Sequence, residues 1–159
     1  MITKTPTLHA FVKGVSEGLT PLNAFDGALL DAGVGNTNIV KMSSIVPPRT
    51  REVSVRELAL PPGALVPMAY AAMESDIPGS RICAAVAAAW PEDDDKPGLI
   101  MEYHAHGHEE DADEVVRRMV VAGMEMRGWP IREMRSIAVD LQVEQIGAVL
   151  AGVVLWDHN

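Results

Sequence analysis

GVGNTNIVKMSSIVPP (residues 33–48) joins a glycine-rich turn to a short apolar run that stops at two prolines. Its first residues are turn formers and favour a loop, and IVKMSSIV (39–46) predicts a strand. Pro47 and Pro48 end that strand, because proline has no N–H to donate to a β-ladder. Two adjacent serines, Ser43 and Ser44, stand inside the predicted strand, and on their own they are only two small residues beside a turn.

The residues before this stretch predict one strand and one helix. LHAFVKGV (8–15) favours a strand. Thr20 followed by Pro21 is typical of an N-cap and the first position of a helix. Apolar residues then recur at helical spacing over 21–32, and Gly33 suits the position that ends a helix.

The residues after it predict six more elements. ALVPMAYAAMES (64–75) and RICAAVAAAW (81–90) are predicted as a hairpin of buried strands around the turn DIPG, and Pro67 favours a place near a sheet edge. An acidic start and a stripe of Val and Met predict a helix over 108–127. Further strands are predicted at 98–105, 131–143 and 146–156. About seven strands and two well-separated helices indicate an α+β fold with a largely antiparallel sheet.

Composition limits the class of protein. The chain has 159 residues, 48% of them hydrophobic, which predicts one globular domain over 1–159. A net charge of −9 argues against nucleic acid or an anionic membrane as a partner. Cys83 is the single cysteine, which excludes an internal disulfide and favours a reducing compartment. The first residues lack a signal-peptide core, and no apolar run approaches the ~18 residues of a membrane span, so the expected location is cytoplasmic.

The sequence resembles the pyruvoyl-dependent arginine decarboxylases. The resemblance extends over nearly the whole chain and is carried, in order, by SEGLTPLNAFDGALLDAGVGNTNIVKMSSIVPP (16–48), PPGALVPMAYAAMESDIPG (61–79), GLIMEY (98–103) and EMRGW (125–129). It implies a four-layer αββα sandwich with largely antiparallel sheets. It also implies homo-oligomers, either trimers or hexamers of paired trimers, with active sites between protomers.

The resemblance further implies that the precursor cuts itself between Ser43 and Ser44. The products would be a β chain (1–43) and an α chain (44–159), and Ser44 would become a pyruvoyl group. That ketone would accept the electrons released when CO₂ leaves, so no pyridoxal phosphate is expected. The lysines that such a cofactor would need stand in no suitable context; they are Lys4, Lys13, Lys41 and Lys96.

Three other residues receive roles from the resemblance. Glu102 would return a proton to the substrate, which requires a raised pKa. Asn38 would lie beside the cofactor, and Asp26 would face the substrate guanidinium, which prefers a carboxylate in fork geometry. The implied reaction converts L-arginine to agmatine and CO₂.

Several alternatives remain open at the level of sequence. The same chemistry could act on lysine or ornithine, whereas Asp26 opposes an acidic substrate such as aspartate. A relative that never cuts itself could serve only in binding or assembly. After Tyr103 the chain reads HAHGH, where the family pattern has Glu and Gly. His104, His106 and His108 at alternate positions of a strand would place three imidazoles on one face, a possible Zn²⁺ or Ni²⁺ site. A solvated strand-to-helix turn is the simpler interpretation, and no metal is predicted.

Overall fold

Two β-sheets lie face to face in the computed structural model, which describes residues 4–158, and one helix covers the outer side of each sheet. The helices are α1 (Pro21–Asp31) and α2 (Glu109–Arg127), and a 3-10 helix spans Val55–Leu58. The strands are β1 (Leu8–Glu17), β2 (Asn38–Lys41), β3 (Ile45–Val46), β4 (Arg51–Glu52), β5 (Leu65–Ser75), β6 (Arg81–Pro91), β7 (Gly98–His106), β8 (Ile131–Gln142) and β9 (Gly147–Trp156).

The two sheets differ in their pairing. Sheet A has the order β2-β5-β9-β1-β4, in which only the short edge strands β2 and β4 run parallel to their neighbours. Sheet B has the order β3-β7-β6-β8 and is antiparallel throughout. The predicted α+β class, the largely antiparallel sheets and the αββα layering are confirmed. Within residues 4–158, no helix combines the length and apolar composition that crossing a membrane requires.

Strand β6 shows how the sequence builds these layers. Its side chains alternate between two buried faces. Ile82, Ala84, Val86 and Ala88 face the space between the sheets, whereas Cys83, Ala85, Ala87 and Ala89 face α2. Because both faces are covered, the strand is apolar throughout and cannot be distinguished from a helix by periodicity.

The predicted hairpin of 64–75 and 81–90 is wrong, although both segments are strands. β5 belongs to sheet A and β6 to sheet B, so the turn between them carries the chain from one sheet to the other. β5 pairs with β2 and β9, and β6 pairs with β7 and β8. Each strand therefore has two partners from elsewhere in the chain, and local turn chemistry could not indicate this. Pro67 lies one residue before Met68, where the pairing of β5 with β9 begins.

Both predicted helices are confirmed. The Thr20 hydroxyl accepts a hydrogen bond from the Asn23 N–H at 3.2 Å and caps α1. Gly33 follows α1 with φ of 87°, in the left-handed region that glycine adopts most easily. α1 packs on β1, β5 and β9, and α2 packs on β6, β7 and β8.

We expect Gly14→Ala to destabilise the protein strongly, because β1 and α1 approach each other closely there. A Cβ at position 14 would lie 2.1 Å from Ala28 O and 2.8 Å from Ala32 N, which are backbone atoms of α1 and its C-terminal cap. Such overpacking costs roughly 3 kcal/mol when backbone must move. The control is Gly79→Ala, where φ is 85° but no atom lies within 4 Å of the new Cβ. Equal melting temperatures for the two variants would contradict the close approach.

Candidate active site

The serine pair lies where the chain passes from sheet A to sheet B. β2 pairs with β5 through the Lys41–Met68 position, and β3 pairs with β7 at Ile45–Leu99. Between them, Met42 N–H donates to Met68 O at 3.2 Å, and Ser44 O accepts from Ile100 N–H at 2.8 Å. The predicted single strand 39–46 is therefore wrong. Its two halves join different sheets, because Met42 still hydrogen-bonds to sheet A whereas Ser44 already hydrogen-bonds to sheet B.

This crossing leaves the Ser43–Ser44 peptide outside regular strand structure. Ser43 is exposed and Ser44 is partly buried. The Ser44 carbonyl is held on β7, and Met42 packs against the apolar layer between the sheets. The peptide is thus anchored on both sides and lies outside regular strand structure between them.

Glu102 stands on the same strand that binds Ser44. Ile100, which donates to the Ser44 carbonyl, turns its side chain into the space between the sheets. Strand alternation places Glu102, two residues further along β7, on that same face. Its Oε2 atom is buried and has no hydrogen-bond partner among residues 4–158. Burial raises the pKa of the Glu102 carboxyl, and the Lys41 ammonium partly offsets this rise. The carboxyl therefore keeps its proton to a higher pH than an exposed glutamate.

The surroundings of Glu102 are otherwise apolar. β5, β6 and β9 turn Ala, Val and Met side chains into the space between the sheets.

Lys41 is the cation that lowers the pKa of Glu102. Sequence reasoning missed it because lysines were considered only as cofactor ligands. Its position as the last residue of β2, two residues before Ser43, was the available signal.

The Lys41 side chain is fixed by β5. Its Nζ donates to Tyr70 O at 3.0 Å and lies 4.5 Å from the centroid of the Tyr70 ring. The ring in turn packs at 6.4 Å from that of Phe25 on α1. The ammonium therefore sits at the sheet A edge beside the crossing segment.

Asp26 and Asn38, the other two predicted site residues, are not linked to Ser44 through β7. Asp26 is exposed on α1, outside sheet A, and makes no ion pair or side-chain hydrogen bond within the part of the chain that the structure describes. Asn38 begins β2, at the opposite end from Lys41, and its Nδ2 donates to Gly63 O at 2.9 Å. The hydrogen bond from Ile100 to Ser44 links the serine pair to the strand of Glu102, whereas no hydrogen bond among residues 4–158 links Asp26 or Asn38 to Ser44.

Asp26 lies on a helix face that is unusually apolar for one exposed to solvent. Leu22 and Leu30, one turn before and roughly one turn after it, are 74% and 53% exposed. Exposed leucines on either side of a carboxylate are typical of a surface that another protein covers.

The three histidines do not form one cluster. β7 ends at His106, so His104 and His106 share a strand face, whereas His108 occupies the N-cap position of α2 and makes no side-chain capping hydrogen bond. The prediction of three imidazoles on one face is therefore wrong. His108 instead lies with Glu110 and Asp140, whose ligand atoms are within 4.8 Å of one another. Asp140 already accepts hydrogen bonds from Arg81 and from the Glu109 N–H, one on each carboxylate oxygen.

Comparisons with known proteins identify the family of the chain. The sequence profile of the family described as pyruvoyl-dependent arginine decarboxylase matches residues 9–159. A pyruvoyl-dependent arginine decarboxylase of Methanocaldococcus jannaschii is 48% identical over 96% of this chain and 92% of its own length. Another of Pyrococcus abyssi is 39% identical over 97% and 98% of the two chains.

A solved structure supports the fold alone. It is a pyruvoyl-dependent histidine decarboxylase at pH 8, with a TM-score of 0.50 and 14% identity, covering 63% of this chain and 53% of that one. Its fold agrees with the two helices and two sheets described above. The family match over almost the entire sequence and the identities near one half establish that this chain belongs to the pyruvoyl-dependent arginine decarboxylase family.

Proposed function

We propose that this protein decarboxylates L-arginine to agmatine and CO₂, with a pyruvoyl group that it makes from Ser44. The observation that carries the proposal is the attachment of the Ser44 carbonyl to β7 two residues from Glu102, whose buried Oε2 has no partner among residues 4–158. The names of the relatives support arginine as the substrate. Cleavage between Ser43 and Ser44 would divide the single domain 1–159 into a β chain (1–43) and an α chain (44–159).

The chemistry of maturation follows from the two serines. The Ser44 Oγ attacks the Ser43 carbonyl carbon, the C–N bond breaks, and an ester replaces the peptide. The Ser44 Cα then loses a proton and its Cβ–O bond breaks, which releases the Ser43 carboxylate and leaves dehydroalanine at position 44. One water hydrolyses this enamine, giving ammonia and the ketone. Alanine at position 44 could not start this sequence, because it has no nucleophile.

In the mature enzyme the ketone would supply an electron sink for the loss of CO₂. The raised pKa of the partly buried Glu102 suits it to hold its proton to a higher pH than an exposed glutamate and to deliver it to the substrate α-carbon. The apolar lining from β5, β6 and β9 keeps water away from that proton. These residues act without pyridoxal phosphate or a metal.

Substrate binding would require a second copy of the chain. Asp26 is exposed on α1, on the outer side of sheet A, whereas Glu102 faces the space between the sheets, so we propose that the Asp26 of one protomer serves the site of another. Burial of Leu22 and Leu30 would stabilise that contact. We propose a homo-oligomer, a trimer or hexamer, whose partners are otherwise only L-arginine and agmatine. A cytoplasmic location stays a prediction from the sequence.

Asp26→Asn is expected to raise KM for arginine with a smaller effect on kcat, because the neutral amide loses the charged bond to the guanidinium. Self-cleavage should be unchanged, since Asp26 supplies no atom to the proposed cleavage of the Ser43–Ser44 peptide. In assays at arginine concentrations well below KM, co-assembly of Asp26→Asn with Glu102→Gln should restore wild-type kcat/KM at about a quarter of the sites, where each protomer supplies its intact residue. No recovery in mixed oligomers, checked by size and subunit content, would place both residues in one protomer.

Intact mass spectrometry of the denatured, purified protein tests the proposal first. Two fragments that separate after Ser43, with a ketone at position 44, are expected. Assays with arginine, lysine and ornithine then identify the substrate. One uncut 159-residue species without activity would favour the alternative, a relative that serves only in binding or assembly.

A further inference from the structure

The hydrogen bonds of β2 follow a regular series that stops just before the serine pair. In a parallel ladder, every second N–H donates to a neighbouring carbonyl. Asn38 N–H donates to Ala64 O at 2.8 Å, and Met42 N–H donates to Met68 O at 3.2 Å. The next step of two residues on each strand would pair Ser44 N–H with Tyr70 O. That carbonyl instead accepts a hydrogen bond from the Lys41 side chain at 3.0 Å.

We propose that Lys41 is a positioning residue for self-cleavage: its ammonium occupies the Tyr70 carbonyl that would otherwise bind the Ser44 N–H, and this frees the Ser43–Ser44 peptide from the β2–β5 ladder. The inference rests on the proposed function, because it concerns the same peptide bond. Lys41 neither attacks the peptide nor donates a proton to the substrate; it acts on the Tyr70 carbonyl oxygen.

The ammonium competes well for this carbonyl. A hydrogen bond from a charged donor is stronger than one from a neutral amide N–H. The Tyr70 ring, 4.5 Å below the Lys41 Nζ, adds a cation–π attraction. The ring is itself held against Phe25, so the acceptor and the aromatic face are both fixed by packing. Lys41 thereby ends the ladder at Met42 more firmly than a neutral side chain could.

Release from the ladder matters for the chemistry of the peptide. A peptide in a regular ladder is planar, extended and bonded on its N–H, whereas attack by Ser44 Oγ requires the Ser43 carbonyl carbon to become tetrahedral. The Ser44 N–H must also be free to become the amine that leaves the carbonyl. With Lys41 in place, the chain turns at Met42 toward sheet B, where Ile100 N–H binds Ser44 O.

The test compares three variants of the full chain, produced as precursor by cell-free translation, with cleavage followed over time by intact mass. Lys41→Met keeps the length and loses the donor, and its cleavage is expected to slow about tenfold or more. Lys41→Arg keeps a charged donor and should cut near the wild-type rate. Lys41→Gln keeps only a neutral donor and should fall between them.

Lys13→Met is the matched control, because the Lys13 Nζ also donates to a backbone carbonyl, that of Ala138 at 3.2 Å, but far along the chain from the serines. It should cut at the wild-type rate. If the wild type is not cut, the proposed function fails. If the wild type is cut and Lys41→Met is cut equally fast, only the role of Lys41 is overturned.

A second readout separates positioning from a general loss of structure. Once cut, Lys41→Gln lacks the cation that lowers the pKa of Glu102, so the alkaline limb of its kcat profile should move to higher pH. Lys41→Arg should leave that limb in place. If the alkaline limb of the Lys41→Gln profile does not move and Lys41→Met is cut at the normal rate, both effects assigned to Lys41 are contradicted.

Discussion

Ser44→Ala is expected to give a single uncut chain that has lost at least about a thousandfold in activity, because it lacks the nucleophile and the source of the ketone. The substitution removes one hydroxyl from a partly buried residue, and the bond from Ile100 N–H to the backbone carbonyl at position 44 remains possible. The variant should therefore fold like the wild-type precursor. Intact mass and release of CO₂ from arginine are the measurements.

Ser43→Ala is the matched control for this result. Residue 43 supplies only a carbonyl to the proposed cleavage, so the alanine variant should still be cut into two chains and should still decarboxylate arginine. Cleavage in Ser44→Ala, or two fragments that separate at another bond, would contradict the assignment of Ser44.

Glu102→Gln is expected to separate maturation from catalysis. The Ser44 hydroxyl is unchanged, so the chain should still be cut, whereas loss of the proton donor should lower kcat about 10²- to 10⁴-fold. The wild-type rate should fall as pH rises through the raised pKa of Glu102, because only the protonated carboxyl donates. Wild-type kcat in a cut Glu102→Gln enzyme would assign proton delivery to another group.

Thermal melting provides a structural control for the same variant. Burial raises the folded-state pKa of Glu102 above its unfolded value, so the folded protein binds the proton more tightly. The carboxyl therefore costs stability as pH rises through that pKa, and the neutral amide does not. At pH 8 the variant should melt no lower than the wild type, which would show that its lost activity is not lost folding.

The elements that were predicted correctly are those with strong local signals. α1 has a hydroxyl cap and an N-terminal proline, and α2 combines acidic residues at its start with Gly128 at its end. β7, β8 and β9 were also recognised as strands, at 98–105, 131–143 and 146–156. The resemblance to the family, carried by 16–48 and three other stretches, selected Ser43, Ser44 and Glu102, and the structure places these three together.

The errors came from contacts that are distant in sequence. The run 39–46 was taken as one strand because β-branched residues stand on both sides of the serines, and nothing local shows that Met42 hydrogen-bonds to sheet A and Ser44 to sheet B. The buried apolar strands β5 and β6 were predicted as a hairpin because a turn joins them. Nothing local shows that β5 belongs to sheet A and β6 to sheet B. Three alternate histidines suggested one face, but β7 ends before His108.

The sequence by itself determined the fold class, the helices, the positions of most strands and the family, because caps, turn residues and motif order are properties of neighbouring residues. Only the tertiary structure decided that β2 and β3 join different sheets, that the Oε2 atom of Glu102 is buried without a partner among the described residues, and that Lys41 hydrogen-bonds to the Tyr70 carbonyl. The physical reason is that strand pairing, burial and hydrogen-bond competition depend on residues brought together from distant parts of the chain.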